Sequence, residues 1–196
     1  LDLGAGTGLA ARIAAPRSAC VAAADLSHSM LRVAHRLGVS NPVQADMHRL
    51  PLAGDTFHVA LAALAFNSTD PALSLREALR VLRPGGRLVL QEWGTSDALS
   101  VLFDETLGGY AVEEPPPDLA AQREARFAYH PWDELETSED IVDALRSAGF
   151  ERISVEIASP VVPLADVRTF VRYKLAWPFR RAEFDAMPGE VQALFL

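Results

Sequence analysis

Cysteine is almost absent from this sequence: Cys20 is the only one. No internal disulfide can form, and a reducing compartment suits the chain. Long apolar runs are missing too. The longest, Val59 to Phe66, has eight residues, whereas a membrane-spanning helix needs about 20. There is no excess of positive charge: 18 Lys and Arg face 26 Asp and Glu, a net charge of −8, and the arginines are scattered. A protein that neutralises nucleic-acid phosphates would carry a basic face, so no nucleic-acid partner is expected. The apolar content of 49% is too high for a disordered chain.

Several signatures of chemistry are also missing. The five histidines are His28, His35, His48, His58 and His130. None forms an H-x-x-x-H pair or joins a cysteine at ligand spacing, so no metal is expected. There is no Gly-x-Ser-x-Gly nucleophile elbow, and Cys20 reads as buried filler in a strand. No basic and apolar leader precedes the glycines, so no signal peptide is read. The chain starts at Leu1 rather than at Met, and Leu1-Asp2-Leu3 already reads as a strand end. An upstream segment is therefore expected to be missing. At 196 residues the length suits one domain.

What is present is an alternation of short apolar runs and amphipathic stretches. The strand end at Leu1–Leu3 is followed by a glycine loop, Gly4–Gly8, and a short helix, Leu9–Ala15. Ala19–Ala24 is a strand ending at Asp25. Ser27 caps a helix that Gly38 closes. Pro42–Ala45 is a strand ending at Asp46. Phe57–Phe66 is apolar apart from His58, as expected of a strand buried on both faces. Asp70-Pro71 opens a helix that ends at Pro84-Gly85-Gly86, and Arg87–Glu92 is the next strand. Such alternation predicts parallel βαβ units with helices on both faces of the sheet, and a ligand at the carboxyl ends of the strands. Beyond this, Asp97–Tyr110 reads as a helix, Glu113–Asp118 as an extended loop, and Thr137–Gly149 as a helix with a near capping box. Phe150–Ala158 alternates like a strand, Leu164–Trp177 is helical, and Arg180–Leu196 is two short helices split at Pro188-Gly189.

The glycine loop carries the strongest chemical signal. Strand, glycines, then a helix start let the backbone approach a ligand closely and offer it free N–H groups. The spacing departs from the dinucleotide fingerprint, because Leu9 stands where G-x-G-x-x-G/A wants Gly or Ala, and no Gly-Lys-Ser/Thr of a phosphate loop follows. Acidic Asp2 suits orienting the loop, or a cationic ligand, better than a phosphate. Asp25, ending the second strand, can accept from both ribose hydroxyls. Asp46, ending the third, can accept from an adenine amine, with Leu26 and Met47 flanking the ring. Each of these aspartates read alone is equally an N-cap or an exposed turn residue. Three at successive strand ends favour a site.

Leu1–Gly8, Asp25, Ala45-Asp46-Met47 and the run Arg80-Val81-Leu82-Arg83-Pro84-Gly85-Gly86-Arg87-Leu88 resemble class I S-adenosylmethionine-dependent methyltransferases. They are most similar to the small-molecule type that includes the ubiquinone/menaquinone-biosynthesis C-methyltransferases. The likeness spans residues 1–92, with Ala148-Gly149-Phe150 as a weaker echo. It implies a doubly wound, mostly parallel, Rossmann-like α/β sheet of seven strands. It implies that Gly4, Ala5, Gly6 and Gly8 line the methionine part of S-adenosylmethionine, that Asp25 binds the ribose, and that Asp46 and Met47 bind the adenine. Asp2, Thr7, Leu26 and Ala63 complete the candidate cofactor set. Two departures stand out: His58 occupies a position where the family usually has Asp, and Phe66-Asn67-Ser68-Thr69 stands where it often has histidines or other polar residues.

Methyl transfer from a sulfonium is a direct displacement, so alignment and water exclusion matter more than a catalytic triad. Candidate contacts to a small-molecule methyl acceptor are Phe66, Asn67, Trp93, Tyr110, Tyr129 and Trp132. His130 is the candidate base where the acceptor must lose a proton. A single cytoplasmic methyltransferase domain over residues 1–196 is expected, with a cofactor-binding half at 1–92 and an acceptor-covering half at 93–196. Two other readings remain open: a nucleotide-dependent oxidoreductase on a similar sheet, and a non-catalytic relative that binds the cofactor alone. The family places a helix and the start of a strand before Leu1, and an antiparallel strand for which no pattern follows Phe179. Truncation at both termini, an open sheet edge and an uncovered pocket are therefore expected. Neither the acceptor nor the oligomeric state can be read from the residues.

Overall fold

The computed structural model describes residues 1–17, 20–94, 96–127, 131–135 and 137–195. Five strands, β1 (Asp2–Leu3), β2 (Ala22–Asp25), β3 (Asn41–Gln44), β4 (Phe57–Ala63) and β5 (Leu82–Gln91), form one parallel sheet in the order β3-β2-β1-β4-β5. Helices α1 (Leu9–Ala14), α2 (His28–Arg36) and α3 (Pro71–Val81) make the crossovers from β1 to β2, from β2 to β3 and from β4 to β5. The strand order reverses at β1, which pairs with β2 on one side and β4 on the other. That switch point opens a crevice beyond the carboxyl ends of the strands, where α/β sheets take their ligands.

Small residues make the sheet thin. Ala23, Ala11, Ala34 and Val39 form a cluster on one face, which α1 and α2 cover. On the other face Leu3, Ala22, Ala24, Ala60 and Ala62 pack with Leu75, Ala78 and Val81 of α3 and with Leu145 of α6 (Ser138–Ala148). The alternation Ala22, Ala23, Ala24 between the two clusters is the period-2 geometry of a strand buried on both sides.

Local signals set the helix ends. Ser27 Oγ accepts the Met30 N–H, and Asp70 accepts the Ala72 and Leu73 N–H groups ahead of Pro71. Thr137 and Asp140 form a reciprocal capping box, and Gly149 closes α6 at a φ of 103°.

The structure corrects several sequence expectations. β2 starts at Ala22, and Cys20 before it is exposed rather than buried filler. β4 is covered on one face only: Ala60 and Ala62 are buried, whereas Val59 is 42% exposed. Pro84-Gly85-Gly86 does not end α3, which stops at Val81. The β4–β5 ladder begins at Phe57–Leu82 and resumes at Val59–Arg87, so residues 83–86 bulge out of it, with Gly85 at a φ of 78°. Phe150–Ala158 pairs with no strand among the described residues, and Arg152, at a φ of 52°, interrupts its pleat. The sheet accordingly has five strands among the described residues, not the seven that the resemblance implies.

The chain divides into two compact units. One comprises residues 1–93 and 129–156 and holds the sheet. The other comprises residues 94–128 and 157–196. The second contains α4 (Ala98–Gly109), α5 (Pro117–Phe127), α7 (Val167–Lys174), α8 (Pro178–Ala186) and α9 (Gly189–Phe195). The expected extended loop Glu113–Asp118 gives way to α5 at Pro117, which is the first residue of that helix. Phe103, Leu107, Val171, Leu175, Phe184 and Met187 form the core of this unit.

Candidate cofactor site

The glycine loop leaves β1 at Leu3 and turns over the crevice. Gly4 and Gly6 take φ values of 64° and 53°, a region that side chains disfavour. The Ala5 N–H donates to the Ala24 carbonyl at 3.0 Å, which ties the loop to the end of β2. A Cβ on Gly4 would sit 2.3 Å from that of Ala65, so the loop is seated against the turn after β4. A Cβ on Gly6 would meet nothing within 4 Å, so Gly6 borders open space. Thr7 is exposed and Gly8 is buried.

Asp2 lies beneath the loop and is only 2% exposed. Its Oδ2 accepts the Ala11 N–H at 2.8 Å, pinning α1 to β1. Burial pushes its carboxyl pKa up, against the pull of that hydrogen bond. Of the roles read from sequence, the geometry matches orientation of the loop.

Asp25 ends β2 in register with Gln44. Its Oδ2 accepts the Gly6 N–H at 2.7 Å and its Oδ1 the Ser27 N–H at 2.8 Å. A carboxylate has about four acceptor positions, so further donors can still be taken. Leu26 is 70% exposed beside it, an apolar side chain left at a strand end. The Gln44 amide holds the Leu26 carbonyl at 3.2 Å. Asp46 lies two residues beyond β3, bridged to Arg49, with its Oδ1 accepting the His48 N–H at 2.8 Å. The Met47 methyl reaches to 3.7 Å from the place of a Gly4 Cβ, so the 46–49 loop closes on the glycine loop. Asp25 and Met47 thus meet the Gly4–Gly6 loop, with Leu26 and Asp46 as their chain neighbours. Ala63, exposed, lies one step past the Leu3–Ala62 pair on the other side of β1.

The turn after β4 carries two of the acceptor candidates. Phe66 begins a short 3-10 turn, Phe66–Ser68. Its side chain is wholly buried among the β1, β4 and α3 residues, so the ring itself is core. Asn67 is half-buried. A second 3-10 turn, Pro131–Glu134, packs against the first and brings the backbone of Trp132 beside it. Trp93 is 57% exposed. Tyr110 belongs to the second unit, where it packs edge-on against Phe195 at 5.8 Å. Tyr129 and His130 lie outside the described residues.

Glu92 is a site residue that the sequence reading did not select. It follows β5, and its Oε1 accepts the Ala65 and Phe66 N–H groups at 3.1 and 2.7 Å. Its Oε2 is buried and has no hydrogen-bond partner among the described residues. Burial raises its pKa above the usual glutamate range, while the backbone N–H donors oppose that rise. The signal was available: Glu92 is another acidic residue at the end of a strand, like Asp25.

With this geometry in view, the chain can be set against known proteins. Residues 1–90 match the family profile described as methyltransferase domain. A demethylmenaquinone methyltransferase of Clavibacter sepedonicus is 33% identical over 163 residues, covering 78% of this chain and 65% of that protein. A malonyl-[acyl-carrier protein] O-methyltransferase of Herminiimonas arsenicoxydans is 31% identical, covering 87% of this chain and 59% of that protein. The chain thus spans less than two thirds of these relatives. A solved S-adenosylmethionine-dependent methyltransferase from Mesorhizobium loti has the same fold, with a TM-score of 0.57, 24% identity and coverage of 89% and 82% of the two chains. These matches do not favour the oxidoreductase alternative. No helix of the described residues is long and apolar enough to cross a membrane.

Proposed function

We propose that the chain binds S-adenosylmethionine at the carboxyl edge of β1–β3 and transfers its methyl group to a small organic acceptor. The observation that carries this reading is the meeting of two strand-end segments with the glycine loop: Asp25, beside exposed Leu26, accepts the Gly6 N–H, and Met47, next to Asp46, reaches the Gly4 position. The residues fit the cofactor. Asp25 keeps acceptor capacity for ribose hydroxyls, Leu26 and Met47 offer apolar surface to a flat ring, and Gly6 leaves room where a side chain would intrude. When bound, the cofactor supplies a methyl group on a positively charged sulfur, already activated for displacement. The protein's own task is then alignment and exclusion of water.

In this reading Gly4, Ala5, Gly6 and Thr7 line the methionine part, and Gly8 packs the loop against Ala34 of α2 and Val39. Asp2 and Glu92 hold the backbone on which the loop and the turn after β4 depend. Asn67, Trp93, Tyr129 and Trp132 are the acceptor contacts of this reading, with the turn at Phe66 placing Asn67. His130 removes a proton where the acceptor must lose one. Residues 1–196 work as one methyltransferase domain in the cytoplasm, in keeping with the single cysteine. The names of the relatives make a demethylmenaquinone-type acceptor the first to assay.

The test is calorimetric titration of the chain with S-adenosylhomocysteine, the demethylated product. Binding is expected, and Asp25→Ala should abolish it. Absence of binding by the unaltered chain would overturn the reading, and unchanged affinity in the variant would overturn the ribose assignment. Binding without turnover on any acceptor in a metabolite extract would instead favour a non-catalytic cofactor binder.

A further inference from the structure

One side chain ties the 46–49 loop to the start of α3. His48 Nε2 accepts the Asp70 N–H at 2.9 Å, and its Nδ1 lies 3.1 Å from Asp46 Oδ1. A backbone amide can only donate, so Nε2 is the lone-pair nitrogen and the proton of the neutral ring sits on Nδ1. Nδ1–H therefore faces Asp46 Oδ1 across that 3.1 Å contact. The His48 backbone N–H donates to that same oxygen at 2.8 Å. Both contacts fall on Oδ1, and Oδ2 takes neither.

The Asp46 side chain is 55% exposed. The single backbone bond to Oδ1 would leave its carboxylate free to twist. The polar contact with the Nδ1 edge of a ring itself anchored on the Asp70 N–H restrains that freedom. Asp70 is in turn fixed as the N-cap of α3 by its bonds to Ala72 and Leu73.

We propose that His48 is the positioning residue for cofactor base selectivity: by fastening Asp46 Oδ1, it presents Oδ2 to the exocyclic amine of adenine. This rests on the cofactor reading above. A base with a carbonyl in place of that amine puts an acceptor against the carboxylate, and the site rejects it. A mere staple between loop and helix would support all nucleoside ligands alike. The role therefore shows in selectivity, not in affinity alone.

The experiment measures dissociation constants of the full chain for S-adenosylhomocysteine and S-inosylhomocysteine, which differ in the six-position substituent of the base. The unaltered chain should prefer the adenine ligand about tenfold or more, the weight of one hydrogen bond to a charged group. His48→Phe should reduce that preference about fivefold, through weaker binding of the adenine ligand, with the inosine ligand changed less than about twofold. His48→Asn places an amide donor where Nδ1 stands and should keep the preference. His48→Gln places its amide near Nε2, keeps the tie to Asp70 and should lose the preference. The Asn and Gln pair decides the matter if His48→Phe does not fold. An equal loss for both ligands in His48→Phe, or equal selectivity in the Asn and Gln variants, would overturn the proposal while leaving the cofactor reading intact. If the unaltered chain binds neither ligand, both fall.

Discussion

In the unit that carries the sheet, alanines and leucines fill the space around the strands, and the polar ties at the strand ends are carboxylates that accept backbone N–H groups. Asp2 takes Ala11, Asp25 takes Gly6 and Ser27, and Glu92 takes Ala65 and Phe66. In the helical unit, large rings fill the core, with Phe103 edge-on to Phe170 at 5.9 Å and to Phe195 at 6.2 Å. Its ties are forks between side chains: Arg123 grips Glu183, and Arg180 grips Asp104. The contrast has a physical content. A carboxylate bonded to amides fixes the course of the backbone, which is what a ligand laid against a glycine loop meets. A side-chain fork fixes one helix against another and leaves the backbone of each free to vary.

The sharpest way to break this comparison is to damage the aromatic core. Phe103→Ala should cost about 3–5 kcal/mol in urea unfolding yet leave S-adenosylhomocysteine affinity within about twofold. A parallel loss of affinity would show that the two kinds of construction are not separable. Gly4→Ala should cost about 3 kcal/mol, through a positive φ and a clash with Ala65. Here binding should be lost along with stability, because the loop cannot seat. Retained affinity would mean that the backbone course is less demanding than the carboxylate ties suggest.

The smallest effect concerns pH. Burial raises the Glu92 pKa in the folded state, so the folded protein is penalised wherever the unfolded chain would ionise this group. That penalty is absent below the ordinary glutamate range and grows as pH rises through that range toward the raised value. Glu92→Gln keeps an oxygen for the Ala65 and Phe66 amides and removes the charge. Its urea midpoint should exceed that of the unaltered chain at pH 7–8, and the gap should close on acidification. In the helical unit Arg180 holds the Asp104 carboxyl below its usual range. The stability that pair contributes is present above the usual aspartate range and lost only as pH falls through the depressed value. A gap that widened on acidification would contradict the assignment at Glu92.

Much of this was legible in the residues. The strand and helix alternation, the glycine loop, and the caps at Ser27, Asp70, Thr137 and Gly149 each depend on bonds spanning a few residues, so local sequence specifies them. Asp25 was legible as the end of β2, whereas β3 stops at Gln44, two residues short of Asp46. Other features were not legible, because they depend on partners far along the chain. Whether a face of β4 is covered, whether the Phe66 ring is core, and whether Phe150–Ala158 finds a strand to pair with are settled by what arrives beside them. The bonds from Asp2 to Ala11, His48 to Asp70 and Glu92 to Phe66 are of the same kind.

The sequence by itself determined a parallel α/β sheet with a glycine loop and acidic strand ends, since periodicity and turn chemistry act locally. Only the tertiary structure decided what those acids bond: buried Asp2 and half-buried Glu92 hold the Ala11, Ala65 and Phe66 amides, while Asp25 takes the Gly6 amide and Asp46 the His48 amide. A carboxylate's role follows from its burial and its donors, and both are set by chain segments that meet only when the sheet has formed.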